Sequence, residues 1–277
     1  MSYPYFFISR ENISGGWIEI QDDDSKHLLQ VLRAKSGDKV EISDNNGYRY
    51  VTEITEIKKS RAQLKILDRK QVKKIPISVY LFQCILKRSS MELVIQKAAE
   101  TGLSAIIPVK SKRVVVAEKK DNEKLLRWQK IALEASKQSK RDFKCDVLNE
   151  LSLADIEPGK FDIFYIPYEE IDSAEMKRVN IVNSLKEILE EKNKRQKAAG
   201  IFEESEDTFN KKKLIQEHEP ELKIGYIIGP EGGFEDFEVE SLVKKGAIKL
   251  SLGRNILKAE TAAIFMSSII SYTLEIY

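Results

Sequence analysis

The stretch Gly229-Pro230-Glu231-Gly232-Gly233-Phe234 constrains this chain more than any other. It follows an apolar run, Ile224 to Ile228, that reads as a buried strand. Acidic residues after it (Glu235, Asp236, Glu238) suit the first turn of a helix. Gly232 and Gly233 tolerate positive φ and the close approach of a backbone or a ligand. Pro230 stiffens the turn and removes one amide proton. At the carboxyl edge of an α/β sheet, such a turn stands where ligands bind. A tight strand-to-helix connection with no ligand uses the same residues, and Gly-Gly alone does not decide between the two.

A second loop bears on that choice. Leu250-Ser251-Leu252 leads into Gly253-Arg254-Asn255, then Ile256-Leu257-Lys258, and a helix is expected from about Glu260 to Ile276. Two glycine-bearing loops after strands, within thirty residues of each other, are placed to wall one cavity.

The rest of the chain supplies the frame. Residues 3–74 read as short strands around one helix. Tyr5 to Ile8, Trp17 to Ile20, Lys39 to Ile42, Tyr48 to Ile57 and Ala62 to Leu67 are strand-like, and Asp44 to Gly47 is a hairpin turn. Asp22 to Asp24 is expected to cap a helix carrying Leu28, Leu29, Val31 and Leu32. This makes a small β barrel or sandwich. Ile75-Pro76 marks a boundary, so domains of 1–74 and 75–277 are expected. Beyond it, Val79 to Leu86, Leu103 to Val109, Phe161 to Ile166 and Ile224 to Ile228 read as buried strands. Helices lie between them, one with a capping box at Ser89-Ser90-Met91-Glu92 and Gly102 at its end, another capped by Asp121. Alternating strands and helices indicate a parallel sheet covered on both faces. Residues of about 171–222 are charge-dense and read as an exposed helix plus a mobile insertion.

The net charge of +2 conceals local patches: Lys58 to Lys74 holds eight Lys or Arg against one acid, and Lys110 to Lys144 holds twelve against five. A polyanion would feel these patches, although solvated faces look the same. The basic end from Glu134 to Arg141 either faces phosphate or answers its own helix dipole. His27 is read as structural rather than as an RNA contact. Two cysteines, Cys84 and Cys145, with no CxxC, and two isolated histidines point to a reduced intracellular protein without a metal. Without an amino-terminal signal or a run of about 20 apolar residues, a cytoplasmic, non-membrane protein is expected.

Gly229-Pro230-Glu231-Gly232-Gly233-Phe234, taken with Leu252-Gly253 and Ile256-Leu257-Lys258-Ala259-Glu260-Thr261-Ala262, resembles the SPOUT methyltransferases that modify ribosomal RNA. The 16S ribosomal RNA uridine-N3 methyltransferase family, family E of the small-subunit enzymes, is the most similar. His27-Leu28 with Val31-Leu32-Arg33 and Gly37-Asp38 resembles its PUA-like amino-terminal domain. Gln96 to Gly102, Arg127 to Ile131 and Glu134 to Arg141 resemble its first helices. The resemblance spans nearly the whole chain except 171–222. It implies an α/β SPOUT domain with a carboxyl-terminal trefoil knot, preceded by a small PUA-like β barrel, acting as a homodimer. It also implies S-adenosylmethionine (SAM) as cofactor, held between the two loops by Ile166, Tyr168, Ile228, Gly229, Glu231, Gly232, Gly233, Leu252, Gly253, Ile256 and Leu257. Family members read Gly-x-Arg-Ile-Leu-Arg-x-Glu-Thr. Here the first arginine is displaced to Arg254 and Lys258 replaces the second, keeping the charge but losing the bidentate fork.

The implied substrate is 16S RNA, naked or in the assembled small subunit. Its phosphates are expected to meet Arg10, Arg33, Lys87, Arg88, Arg113 and Arg141. Uridine N3 carries a proton at neutral pH, so a site must remove it or stabilise the anion. Glu231 is a candidate base or orienting group, or simply a carboxylate that ties down its loop. Arg254 and Lys258 are candidates to stabilise O2 or O4. On the last helix, Ala263, Met266, Ile269 and Ile270 suit either a dimer interface or the core. Enzymes of the same class acting on transfer RNA or large-subunit RNA, and a non-catalytic RNA-binding protein, share parts of this pattern. A dinucleotide oxidoreductase does not, since no GxGxxG follows a strand.

Overall fold

The computed structural model describes residues 3–58, 61–72, 76–112, 122–169, 181–198 and 222–276. Its contacts divide the chain into two compact units, 1–74 with 133–144 and 75–132 with 145–277. Arg113, Asp121 and most of the 171–222 stretch lie outside the described residues.

The first unit is a six-stranded sheet. Its strands are β1 (Tyr5–Phe7), β2 (Ile13–Ser14), β3 (Trp17–Ile20), β4 (Lys39–Ser43), β5 (Tyr48–Lys58) and β6 (Arg61–Gln71). Their order is β1-β4-β5-β6-β3-β2, antiparallel except for β1 beside β4. Alternate residues point inward, so Ile18, Ile20, Val40, Ile42, Ile54 and Leu64 are fully buried. The β4–β5 hairpin turns at Asp44, whose Oδ1 accepts the N–H groups of Asn46 (2.8 Å) and Tyr48 (2.9 Å).

The helix expected after Asp22 is short. Helix α1 covers Asp22–Lys26 and continues as a π-helical turn, His27–Val31. Of the four apolar residues expected on one face only Leu28 is fully buried, and Val31 and Leu32 stand 69% and 44% exposed. The wider turn, closed by Leu32 N–H on the His27 carbonyl at 3.0 Å, carries these residues off the apolar face.

Two lysines of the basic segment 133–144 are held in ion pairs instead of standing free for phosphate. Lys137 is buried and pairs with Asp24 (2.6 Å) and Glu134 (2.9 Å), while Lys140 pairs with Glu41 at 3.0 Å. The Arg141 carbonyl accepts the Tyr5 hydroxyl at 2.6 Å.

Seven parallel strands make the second unit. They are β7 (Ile77–Cys84), β8 (Ala105–Lys110), β9 (Asp146–Val147), β10 (Leu151–Ser152), β11 (Ile163–Pro167), β12 (Leu222–Ile228) and β13 (Ile248–Leu250). The order is β10-β8-β7-β12-β11-β13, with β9 also on β8. Its helices are α2 (Arg88–Glu100), α3 (Asn122–Gln138), α4 (Ile181–Ala198), α5 (Asp236–Lys244) and α6 (Ala259–Leu274). Helix α3 runs on into the segment that belongs to the first unit. Register pairs Ile228 with Gln83, and Pro167 with Leu250. The carboxyl ends of β7, β12, β11 and β13 therefore share one edge of the sheet.

Two expectations change here, and one open choice is decided. Helix α2 begins at Arg88 after Lys87, with no side-chain cap at Ser89 or Ser90. The capping box sits instead on α5, where Glu238 accepts the Glu235 N–H at 2.9 Å. Helix α4 is not merely exposed: Ile181 and Leu185 are buried, and it packs on α6. Most of the α6 stripe is core, since Ala263, Met266 and Ile270 are fully buried and Ile269 is half-buried. Its outer face is Thr261, Phe265, Ser268 and Tyr272.

Candidate active site

The four strand ends enclose a cavity of about 540 Å³. One wall is the turn after β12. There the Gly233 N–H bonds the Pro230 carbonyl at 3.0 Å, and Gly233 has φ +71°. Facing it is the loop after β13, where Gly253 has φ +132° and Ser251 Oγ donates to the Gly253 carbonyl at 3.0 Å. The β11 end supplies Tyr168, whose hydroxyl donates to Asp236 Oδ1 at 2.8 Å and joins that loop to the start of α5. Lys87, at the β7–α2 corner, completes the rim.

Sequence reasoning placed Tyr168, Ile228, Gly229, Glu231, Gly233, Leu252, Gly253, Arg254, Ile256, Leu257 and Lys258 at one site, and all of them line this cavity. Two do not. Ile166 is fully buried in the core among Phe82, Phe164 and Ile227, because the strand alternates and Pro167 takes the wall position. Gly232 is exposed on the turn but off the wall. At Gly229, which lines the cavity, a Cβ would stand 3.1 Å from the Phe234 ring, which folds back over it. Ser90, Glu169, Ser251, Asn255 and Glu260 also line it. Their only signal in the sequence was a position just past a strand end or at a helix start.

The wall is balanced in charge, with Lys87, Arg254 and Lys258 against Glu169, Glu231 and Glu260. Its apolar part is Ile228, Leu252 and Leu257, with Ile256 83% exposed at the rim. Glu231 Oε1 accepts the Lys87 backbone N–H at 2.9 Å. The cysteine thiols take no part: Cys84 lies in the core, and burial pushes its thiol up to about 12. Among the described residues no cluster of His, Cys, Asp or Glu forms a metal site, and no helix is long and apolar enough to cross a membrane.

The candidate RNA contacts are spread more widely. Arg10 lies 3.6 Å from Asp44, and Arg33 is exposed with φ 54°. Arg88 pairs with Glu92 at 3.2 Å, and Glu92 also holds Arg127 at 2.8 Å. Arg113 lies outside the described residues.

Comparison with known proteins adds a lineage to this geometry. The chain matches the model of an RNA methyltransferase domain over residues 73–183 and 172–271, and that of an RNA methyltransferase PUA domain over 20–67. Ribosomal RNA small subunit methyltransferase E of Bacillus subtilis is 27% identical over 263 residues, 93% of this chain and 90% of that protein. The protein of the same name from Mesomycoplasma hyopneumoniae is 33% identical over 189 residues, 68% of this chain and 66% of its own. A crystal structure of ribosomal RNA small subunit methyltransferase E from Neisseria gonorrhoeae, bound to S-adenosyl methionine, superposes with a TM-score of 0.73 over 98% of both chains. At 23% identity that likeness is one of fold.

Proposed function

Since this chain belongs to the RNA methyltransferase family, we propose that it transfers a methyl group from SAM to N3 of a uridine in the 16S RNA of the small ribosomal subunit. One observation carries the reading: both glycine loops converge on a single cavity at the carboxyl edge of the parallel sheet. The residues present fit the cofactor. The cavity is of ligand size and mixes an apolar slot (Ile228, Leu252, Leu257) with backbone opened by Gly233 and Gly253. Glu169, Glu231 and Glu260 suit its positive groups. When bound, SAM supplies an electrophilic methyl on a sulfonium.

The chain's own residues have three tasks. They must exclude water, hold N3 in line with the methyl carbon, and manage the N3 proton and the charge its loss leaves on O2 and O4. Arg254 and Lys258 line the cavity from its rim loop and its helix start, and are assigned the oxygen charge. Removal of the proton falls to a carboxylate on the wall. Calorimetry should give micromolar SAM binding (about −8 kcal/mol). Mass spectrometry of small-subunit RNA should show one methyluridine lost from cells lacking the protein. No heat of binding, or an unchanged RNA, would sink the assignment.

Arg10, Arg33, Lys87, Arg88, Arg113 and Arg141 are proposed to meet RNA phosphates. The exposed α6 face, with Phe265 and Tyr272 43% and 76% exposed, supports a homodimer. Sedimentation with small-subunit RNA over a salt series tests both. Two copies per particle are expected, with affinity falling about 10³-fold from 50 to 200 mM salt for six phosphate contacts. A monomer, or salt-independent binding, would contradict the corresponding part. A ribosomal substrate implies action in the cytoplasm. The implied trefoil knot draws support from strand order: the chain leaves β12, passes through α5, and reaches β13 on the far side of β11. A crystal structure in which that carboxyl-terminal path is unthreaded would remove it.

A further inference from the structure

Helix α2 starts without a cap of its own. Lys87 is its N-cap and makes no side-chain cap bond. In a capping box the third helical residue is Glu or Gln, whose side chain accepts the N-cap N–H. Here that third residue is Ser90, too short to reach back. Glu231 does the same work from 144 positions away: its Oε1 accepts the Lys87 N–H at 2.9 Å. A carboxylate is well matched to this spot, because the first amides of a helix lack internal partners and carry partial positive charge.

The bond joins two walls of the cavity. Lys87 follows Cys84, Ile85 and Leu86, all buried, so its backbone is anchored in the core on one side and by Glu231 on the other. Its side chain is exposed and lines the cavity. The adjacent cation, Arg88, pairs with Glu92 on its own helix and does not line the cavity. Lys87 is therefore the cation that this corner offers to a ligand.

We infer that Glu231 is a positioning residue rather than the base: it caps α2 from across the site and so aims the Lys87 ammonium at an anionic group of the target nucleotide. The inference rests on the proposed methyl transfer and narrows it, leaving Glu169 and Glu260 as the wall carboxylates for the proton.

Single-turnover methylation of small-subunit RNA by the full chain with SAM tests it. E231Q keeps an acceptor oxygen, so its rate should fall no more than about threefold, with the pH profile of the unaltered chain. E231A should lose about thirtyfold, the scale of a lost charge-assisted bond. K87M should lose a similar factor, and the double variant no more than the slower single one, because the two act as a unit. If E231Q is as slow as E231A, or its acidic pH limb disappears, Glu231 is the base and the inference is wrong. If the losses multiply in the double variant, Glu231 does not act through Lys87. Failure of the unaltered chain to bind SAM or methylate RNA would instead remove the parent reading, a result distinct from all of these.

Discussion

Arg254→Ala is expected to slow single-turnover methyl transfer by about 10²- to 10³-fold, the scale seen when one donor to a developing oxyanion is removed. Gly253, at φ +132°, makes the turn that exposes Arg254, and Ser251 pins that turn through the Gly253 carbonyl. No ion pair with Arg254 occurs among the described residues, so its guanidinium is available to the cavity it lines. SAM affinity by calorimetry should change by less than about threefold, since the charge it answers develops on the nucleobase. Lys258→Ala should cost less, about tenfold, because an ammonium lacks the two-pronged donor geometry. The pair of rates tells which of the two side chains stabilises the oxygen charge. Equal and unaltered single-turnover rates in the two variants would take the oxygen-stabilising role away from both.

Gly225→Ala should destabilise the second unit by about 2–4 kcal/mol without touching the cavity. Gly225 sits mid-strand in β12, paired with Phe164 on β11 and Tyr80 on β7. A Cβ there would stand 2.8 Å from Phe164 Cε2, closer still to its Cδ2, and 3.1 Å from Phe161 Cδ1. Those rings pack on each other at 5.3 Å between centroids, and both meet Phe82, so none can retreat alone. Thermal unfolding should shift down by roughly 5–12 °C on the usual scale for a unit of this size. Phe164→Leu in the same chain should recover part of the loss by opening the space. A melting temperature within about 1 °C of the unaltered chain would mean the aromatic layer yields more easily than its packing implies.

How far the residues themselves disclosed this arrangement depends on the interaction concerned. The β12 strand was legible because Ile224 to Ile228 is apolar without a break, as a strand covered on both faces must be. The Asp44 to Gly47 hairpin was legible because an Asp side chain, an Asn at φ 53° and a Gly at φ 103° are the local chemistry of a turn. Gly225 was passed over: nothing beside it in sequence shows that Phe164 on β11 and Phe161 just before that strand need its missing Cβ. The segment from Glu134 to Arg141 was misleading in the same way. Its cations look free along the chain, and the partners Asp24 and Glu41 lie about a hundred residues earlier.

Local pattern, then, determined the parallel sheet, the preceding β unit and the two glycine turns, because hydrophobic period and turn chemistry act between near neighbours. It also marked the loops that meet at the site. Tertiary structure alone decided which strand ends adjoin, since β7, β12, β11 and β13 are brought side by side by pairing across up to 145 residues, from Ile77 to Leu222. It likewise decided that Ile166 faces the core, that the α6 stripe is interior, and that Glu231 caps a helix begun far upstream. A hydrogen bond or a buried contact is satisfied by whatever group arrives in space, and the order of residues along a chain records only the groups on offer.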